Sequence, residues 1–114
     1  MRPPEALAFW EIHMEPYKLH VYDCSNKSSK YARILREAGY EADVWITIYP
    51  DEGVHAIVSV KMGKKTLWCD PTNGKWSWRS DAFGELHFRV PYHTLHDEEL
   101  WGKSFSEKMP DGVN

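Results

Sequence analysis

Apolar and polar positions along the chain change their period once, near Tyr40, and the change separates a helical part from a strand part. Over residues 5–15, Leu7, Trp10 and Met14 recur at helical spacing, and Pro16 ends the run because proline cannot continue a helix. Residues 18–22 read as a short extended approach to a second helix that begins at Cys24. Asp23 is its expected cap, accepting hydrogen bonds from the free amides of the helix start. Tyr31, Ile34, Leu35 and Ala38 form one apolar stripe with Ser28 on the same side, and Gly39 supplies a left-handed stop.

Beyond Gly39 the alternation predicts strands over 43–49, 54–60 and 65–70, with turn chemistry at 50–53 and 61–64. Hairpins closed by Tyr49 with Val54 and by Val60 with Lys65 put His55 opposite both Ile48 and Asp70. One face then carries Val44, Ile46, Ile48, His55, Ile57, Trp68 and Asp70. The other carries Trp45, Thr47, Val58, Val60, Leu67 and Cys69. Both faces are apolar enough to need cover, so the Cys24 helix is expected on the first, and the N-terminal helix or the C-terminal segment on the second. After Gly74 the pattern weakens; 85–90 alternates and reads as a further strand, and 97–114 as a polar tail prone to fraying. The expectation is a single α+β domain over 1–114: an antiparallel sheet with the Cys24 helix packed on one face.

At 114 residues the chain can build one core, and 42% apolar with 27% charged residues is the balance of a soluble globular domain. A net charge of -3 supplies no basic field for a phosphate backbone, so no nucleic-acid partner is expected. The apolar run 6–10 lies between Glu5 and Glu11, too short and too charged for the core of a signal peptide, and no stretch is long enough to cross a membrane. Two cysteines are too few for a disulfide framework and fit a reducing compartment, so a cytoplasmic location is expected, with release by lysis as the alternative.

The chemistry sits at Cys24, His55 and Asp70. A thiol works as a nucleophile when it is a thiolate, and a helix start favours negative charge. Directly opposed strand residues have Cβ atoms roughly 4.5–5.5 Å apart, so His55 and Asp70 make a base and its orienting acid. Asp70 would fix the ring tautomer and stabilise imidazolium, leaving the other nitrogen for the sulfur of Cys24. Acyl transfer through a thioester follows. Asp70 can also cap the 71–74 turn through an Asx-type bond. Cys69, on the face away from His55, reads as a small buried hydrophobe with no disulfide to Cys24. His13, His20, His87, His93 and His96 read as structural. The spacing of His93 and His96 could suit a metal, but no cysteine pair or His-Glu-x-x-His motif accompanies it, and no cofactor is expected.

The run Tyr22-Asp23-Cys24, the stretch from Ser28 to Gly39, then His55-Ala56 and Asp70-Pro71-Thr72 together resemble the transglutaminase-like superfamily, whose core is papain-like. In that family a cysteine opens a helix, a histidine begins a strand and an aspartate ends the neighbouring strand before a Pro-Thr turn. The resemblance spans 22–74 and implies amide chemistry on a peptide or protein substrate, through amide or isopeptide bonds, as in cysteine peptidases, amidases and isopeptidases. A cross-linking transglutaminase and a non-catalytic transglutaminase-like binding module are the alternatives it leaves. It also implies an oxyanion hole made by the Cys24 amide and an upstream side chain, for which Tyr17, His20 and Tyr22 are the candidates. Trp68, Trp76 and Trp78 are candidate walls of the substrate cleft.

Overall fold

The structure, a computed structural model, describes residues 2–18, 24–49 and 53–90. Two helices, α1 (Ala6–Met14) and α2 (Cys24–Glu37), precede five strands: β1 (Ala42–Tyr49), β2 (Gly53–Met62), β3 (Lys65–Asp70), β4 (Lys75–Ser77) and β5 (Glu85–Arg89). The strands form one antiparallel sheet in the order β4-β3-β2-β1-β5. The fold is α+β. The expected tail 97–114, the Asp23 cap and the 50–52 turn fall outside the described residues.

Local chemistry sets the helix ends. Glu15 turns extended before Pro16, as residues preceding proline do, and this stops α1. At the other end of α2, Gly39 takes φ 96°, and the amides of Gly39 and Tyr40 donate to the carbonyls of Arg36 and Leu35. That is a Schellman closure, which needs a left-handed residue where Gly39 stands.

The sheet register differs from the expected one in two ways. In the β2–β3 hairpin Met62 pairs with Lys65 around a two-residue turn, Gly63-Lys64, where four turn residues were expected. The shift is two residues, so every side chain keeps its face. Continuing that register puts Ile57 opposite Asp70, with His55 as the diagonal neighbour on the same face. In the β1–β2 hairpin Tyr49 pairs with Gly53, not Val54, and Thr47, not Ile48, lies opposite His55. That one-residue slip turns all of β1 over.

Val44, Ile46, Ala56, Val58, Val60, Leu67 and Cys69 therefore share one face, and they form the core with Phe9 and Ile12 of α1 and with Tyr31, Ala32 and Leu35 of α2. Both helices add to the core on this face, so the expectation that α2 covers the His55 face is corrected. The opposite face holds Trp45, Thr47, His55, Ile57, Ser59, Trp68 and Asp70, with Trp45 Nε1 donating to Ser59 Oγ at 2.9 Å. In α1 the helical spacing marked Leu7, Trp10 and Met14. These are exposed, and Phe9 and Ile12 are buried in their place. In α2, Tyr31 and Leu35 are buried as expected, whereas Ala38 is exposed.

Tyr31 fastens the chain entering α1: its hydroxyl donates to Pro4 O at 2.6 Å inside the core. Tyr31→Phe leaves that carbonyl buried without a donor and should cost about 1–2 kcal/mol. Urea unfolding should show a lower midpoint at unchanged slope, and an unchanged midpoint would remove the bond from the account of stability.

Candidate active site

Cys24 is the first helical residue of α2, His55 the third residue of β2 and Asp70 the last residue of β3. They meet at the end of the sheet, where the start of α2 reaches the rim beside the opening of β2. His55 Nε2 donates to Asp70 Oδ2 at 2.9 Å, and the ring shares a further side-chain hydrogen bond with Cys24. With Nε2 committed to Asp70, Nδ1 is the nitrogen that meets the sulfur.

Asp70 is fully buried, and each of its oxygens is used. Oδ1 accepts from the amides of Thr72 at 3.1 Å and Asn73 at 3.2 Å, and Oδ2 accepts from Asn73 Nδ2 at 2.8 Å as well as from His55. The carboxylate thus caps its own turn, as anticipated, and hydrogen-bonds the imidazole. Burial of His55 pulls its pKa down, but the hydrogen bonds and charges of Asp70 and Cys24 outweigh this and raise it to about 10. The raised pKa favours the imidazolium form at neutral pH.

Cys69 behaves differently. It is buried in the core on the other sheet face, and desolvation, with the nearby Asp70 charge, pushes its thiol up to about 12 against the opposing pull of a hydrogen bond shared with Tyr31. It stays a neutral thiol, and neither cysteine is in a disulfide.

A cleft of about 480 Å³ is lined by Cys24 and His55 together with His13, Glu15, Tyr17, Thr72 and Asn73. Lys27, one helical turn after Cys24, also lines it. Lys27 is almost fully buried, and its Nζ donates to the carbonyls of His13 at 3.0 Å and Glu15 at 2.6 Å, which fastens the end of α1 to the start of α2. Desolvation lowers its pKa, against the opposing charge of Glu15.

Of the oxyanion candidates, Tyr17 lines the cleft, while His20 and Tyr22 lie outside the described residues. The three tryptophans are not among the residues that line it. Trp68 packs edge-on to Trp45, Trp76 packs against Phe9 and Trp10, and Trp78 lies under the Lys65 ammonium. His13, Glu15, Lys27 and Asn73 are cleft residues that the sequence pattern did not mark. Only Lys27 carried a signal, its spacing of three from Cys24 on one helix.

Among the described residues, no group of three or more His, Cys, Asp and Glu side chains is gathered as a metal site, and His93 and His96 lie outside them. Among the same residues no helix is long and apolar enough to cross a membrane. No family model, curated protein or solved structure matches the chain.

Proposed function

We propose that this protein is a thiol-dependent acyl-transfer enzyme acting on amide bonds, a cysteine peptidase, amidase or isopeptidase with a transglutaminase-like core. The observation that carries the reading is one chain of contacts: Cys24 hydrogen-bonded to His55, and His55 Nε2 held at 2.9 Å by a fully buried Asp70, with Cys24 and His55 lining an open cleft. A structural histidine would not need a buried carboxylate on one nitrogen and an accessible thiol on the other.

In this reading the Cys24 thiolate attacks the substrate carbonyl carbon, and the Cys24 amide at the start of α2 donates to the oxygen as it becomes negative. The tetrahedral intermediate collapses, and the C–N bond breaks as the imidazolium of His55 protonates the leaving amine. A thioester remains. His55, now neutral, takes a proton from water as it attacks the thioester, and the acid product leaves as the Cys24 thiolate and the imidazolium re-form. An amine in place of water would give transfer. Free thiols fit action in the reducing cytoplasm.

The test is the pH dependence of iodoacetamide alkylation, read at Cys24 by mass spectrometry while buried Cys69 stays silent. Cys24 should react rapidly at about pH 6, where a free thiol is sluggish. His55→Ala should remove that low-pH reactivity. If the wild type alkylates only as a free thiol does, and His55→Ala changes nothing, the enzyme reading fails.

A further inference from the structure

Asp70 is held by two consecutive peptide units, and the same two units are held from behind by His13. The unit joining Pro71 to Thr72 gives its N–H to Asp70 Oδ1, and the unit joining Thr72 to Asn73 gives its N–H to the same oxygen, at 3.1 and 3.2 Å. Their carbonyls, Pro71 O and Thr72 O, lie 3.2 and 3.0 Å from His13 Nδ1. Both partners there are acceptors, so Nδ1 carries the proton and donates to both. Each peptide unit is planar, so whatever sets the direction of its C=O sets the direction of its N–H.

The ring is also wedged in place. Gly74 has φ 70°, and a Cβ on it would stand 3.1 Å from Cε1 and Nε2 of His13, so glycine is what admits the imidazole so close. Trp10 packs edge-on to the ring, with centroids 5.5 Å apart, and its Cζ3 would stand at the same 3.1 Å from that Cβ. The main chain of His13 meanwhile accepts from Lys27 Nζ at 3.0 Å, one helical turn from Cys24. His13 therefore touches both the turn that grips Asp70 and the helix that carries the thiol.

We propose that His13 is a positioning residue: its Nδ1–H, shared between Pro71 O and Thr72 O, aims two backbone amides at Asp70 and so fixes the carboxylate against His55. The proposal rests on the acyl-transfer reading for its consequence in reactivity, but the clamp has a readout of its own. Two neighbouring carbonyls converge on one donor. Without that donor they repel and swing apart, and the amides that hold Asp70 Oδ1 swing with them. Polarisation runs the same way, since a carbonyl that accepts a hydrogen bond makes its own N–H a stronger donor.

His13→Ala, His13→Asn and His13→Gln separate the clamp from packing. The amide nitrogen of asparagine can stand where Nδ1 stands, while glutamine carries its donor one bond further out. Iodoacetamide alkylation of Cys24 at about pH 6 should fall roughly tenfold to a hundredfold in His13→Ala, the scale of a small misplacement at a reacting centre. The His55 titration midpoint, followed by NMR, should drop with it. His13→Asn should restore most of both, and His13→Gln should not. A His13→Ala protein with wild-type reactivity and an unmoved His55 midpoint overturns the proposal, as does asparagine performing no better than glutamine. If the alanine variant does not fold, the asparagine–glutamine comparison decides. A wild type without low-pH reactivity defeats the acyl-transfer reading, whereas a His55 midpoint that still moves in His13→Gln and not in His13→Asn keeps the clamp.

Discussion

Asp70→Asn is expected to silence Cys24 while leaving the chain folded, and Asp70→Ala to damage the fold itself. Asparagine keeps an oxygen for the amides of Thr72 and Asn73, which donate to Oδ1. It replaces Oδ2 with an N–H donor facing His55 Nε2, so that nitrogen must give up its proton. The proton moves to Nδ1, and the ring then meets the thiol with a donor where an acceptor is required. A wrong tautomer of this kind costs on the order of 10⁴-fold in enzymes built on an oriented histidine, and a loss of that order is expected in Cys24 alkylation at neutral pH. Alanine instead leaves Nε2 of His55 and three nitrogens of the 70–74 turn facing a buried void, a cost of about 3–5 kcal/mol. Urea unfolding of the two variants beside the wild type separates these effects. An alanine variant as stable as the asparagine one would mean the buried carboxylate does not hold the turn.

The second large effect is in the titration of His55. Its midpoint, read from ring resonances by NMR, should lie near 10 in the wild type. Cys24→Ala removes one of the groups that raise it and should bring it down. Asp70→Asn removes the other and should likewise bring it down, with burial then opposed by Cys24 alone. The sign for stability follows. A group whose pKa is raised by folding stabilises the native state fully below its unfolded value, and that contribution is lost as pH rises through the folded one. Between about 6.5 and about 10, then, the wild type should lose stability that His55→Gln does not. Parallel pH profiles of the two proteins would disprove the raised titration.

Much of this arrangement was legible because strand side chains have a period of two. The β2–β3 hairpin was expected two residues out of register, and an even error leaves His55 and Asp70 on one face. The β1–β2 hairpin was expected one residue out, and an odd error moved Val44, Ile46 and Ile48 to the wrong side, and the covering helix with them. Turn length decides such cases, and Met62-Gly63-Lys64 admits more than one closure, the observed one putting Gly63 at φ 67°. In α1 both faces are apolar, so periodicity could not tell Phe9 and Ile12 from Leu7 and Met14. β4 has three residues, too few for any period to show. His13 acts on backbone carbonyls, which leave no trace in a pattern of side-chain types.

The sheet order also has a consequence for the order of synthesis. β1 pairs on one side with β2, which follows it directly, and on the other with β5, the last described strand. Cys24, His55, Asp70 and His13 all leave the ribosome before β5 does. Until then the far edge of β1 presents bare main-chain groups along Trp45 to Ile48, a template for pairing with another chain. Emergence of β5 closes that edge, and the final contact, from the Val90 amide to Val44 O at 2.8 Å, extends the seal past the end of the strand. These four residues are thus synthesised before the strand that covers β1, and in that interval the bare edge is open to misassociation.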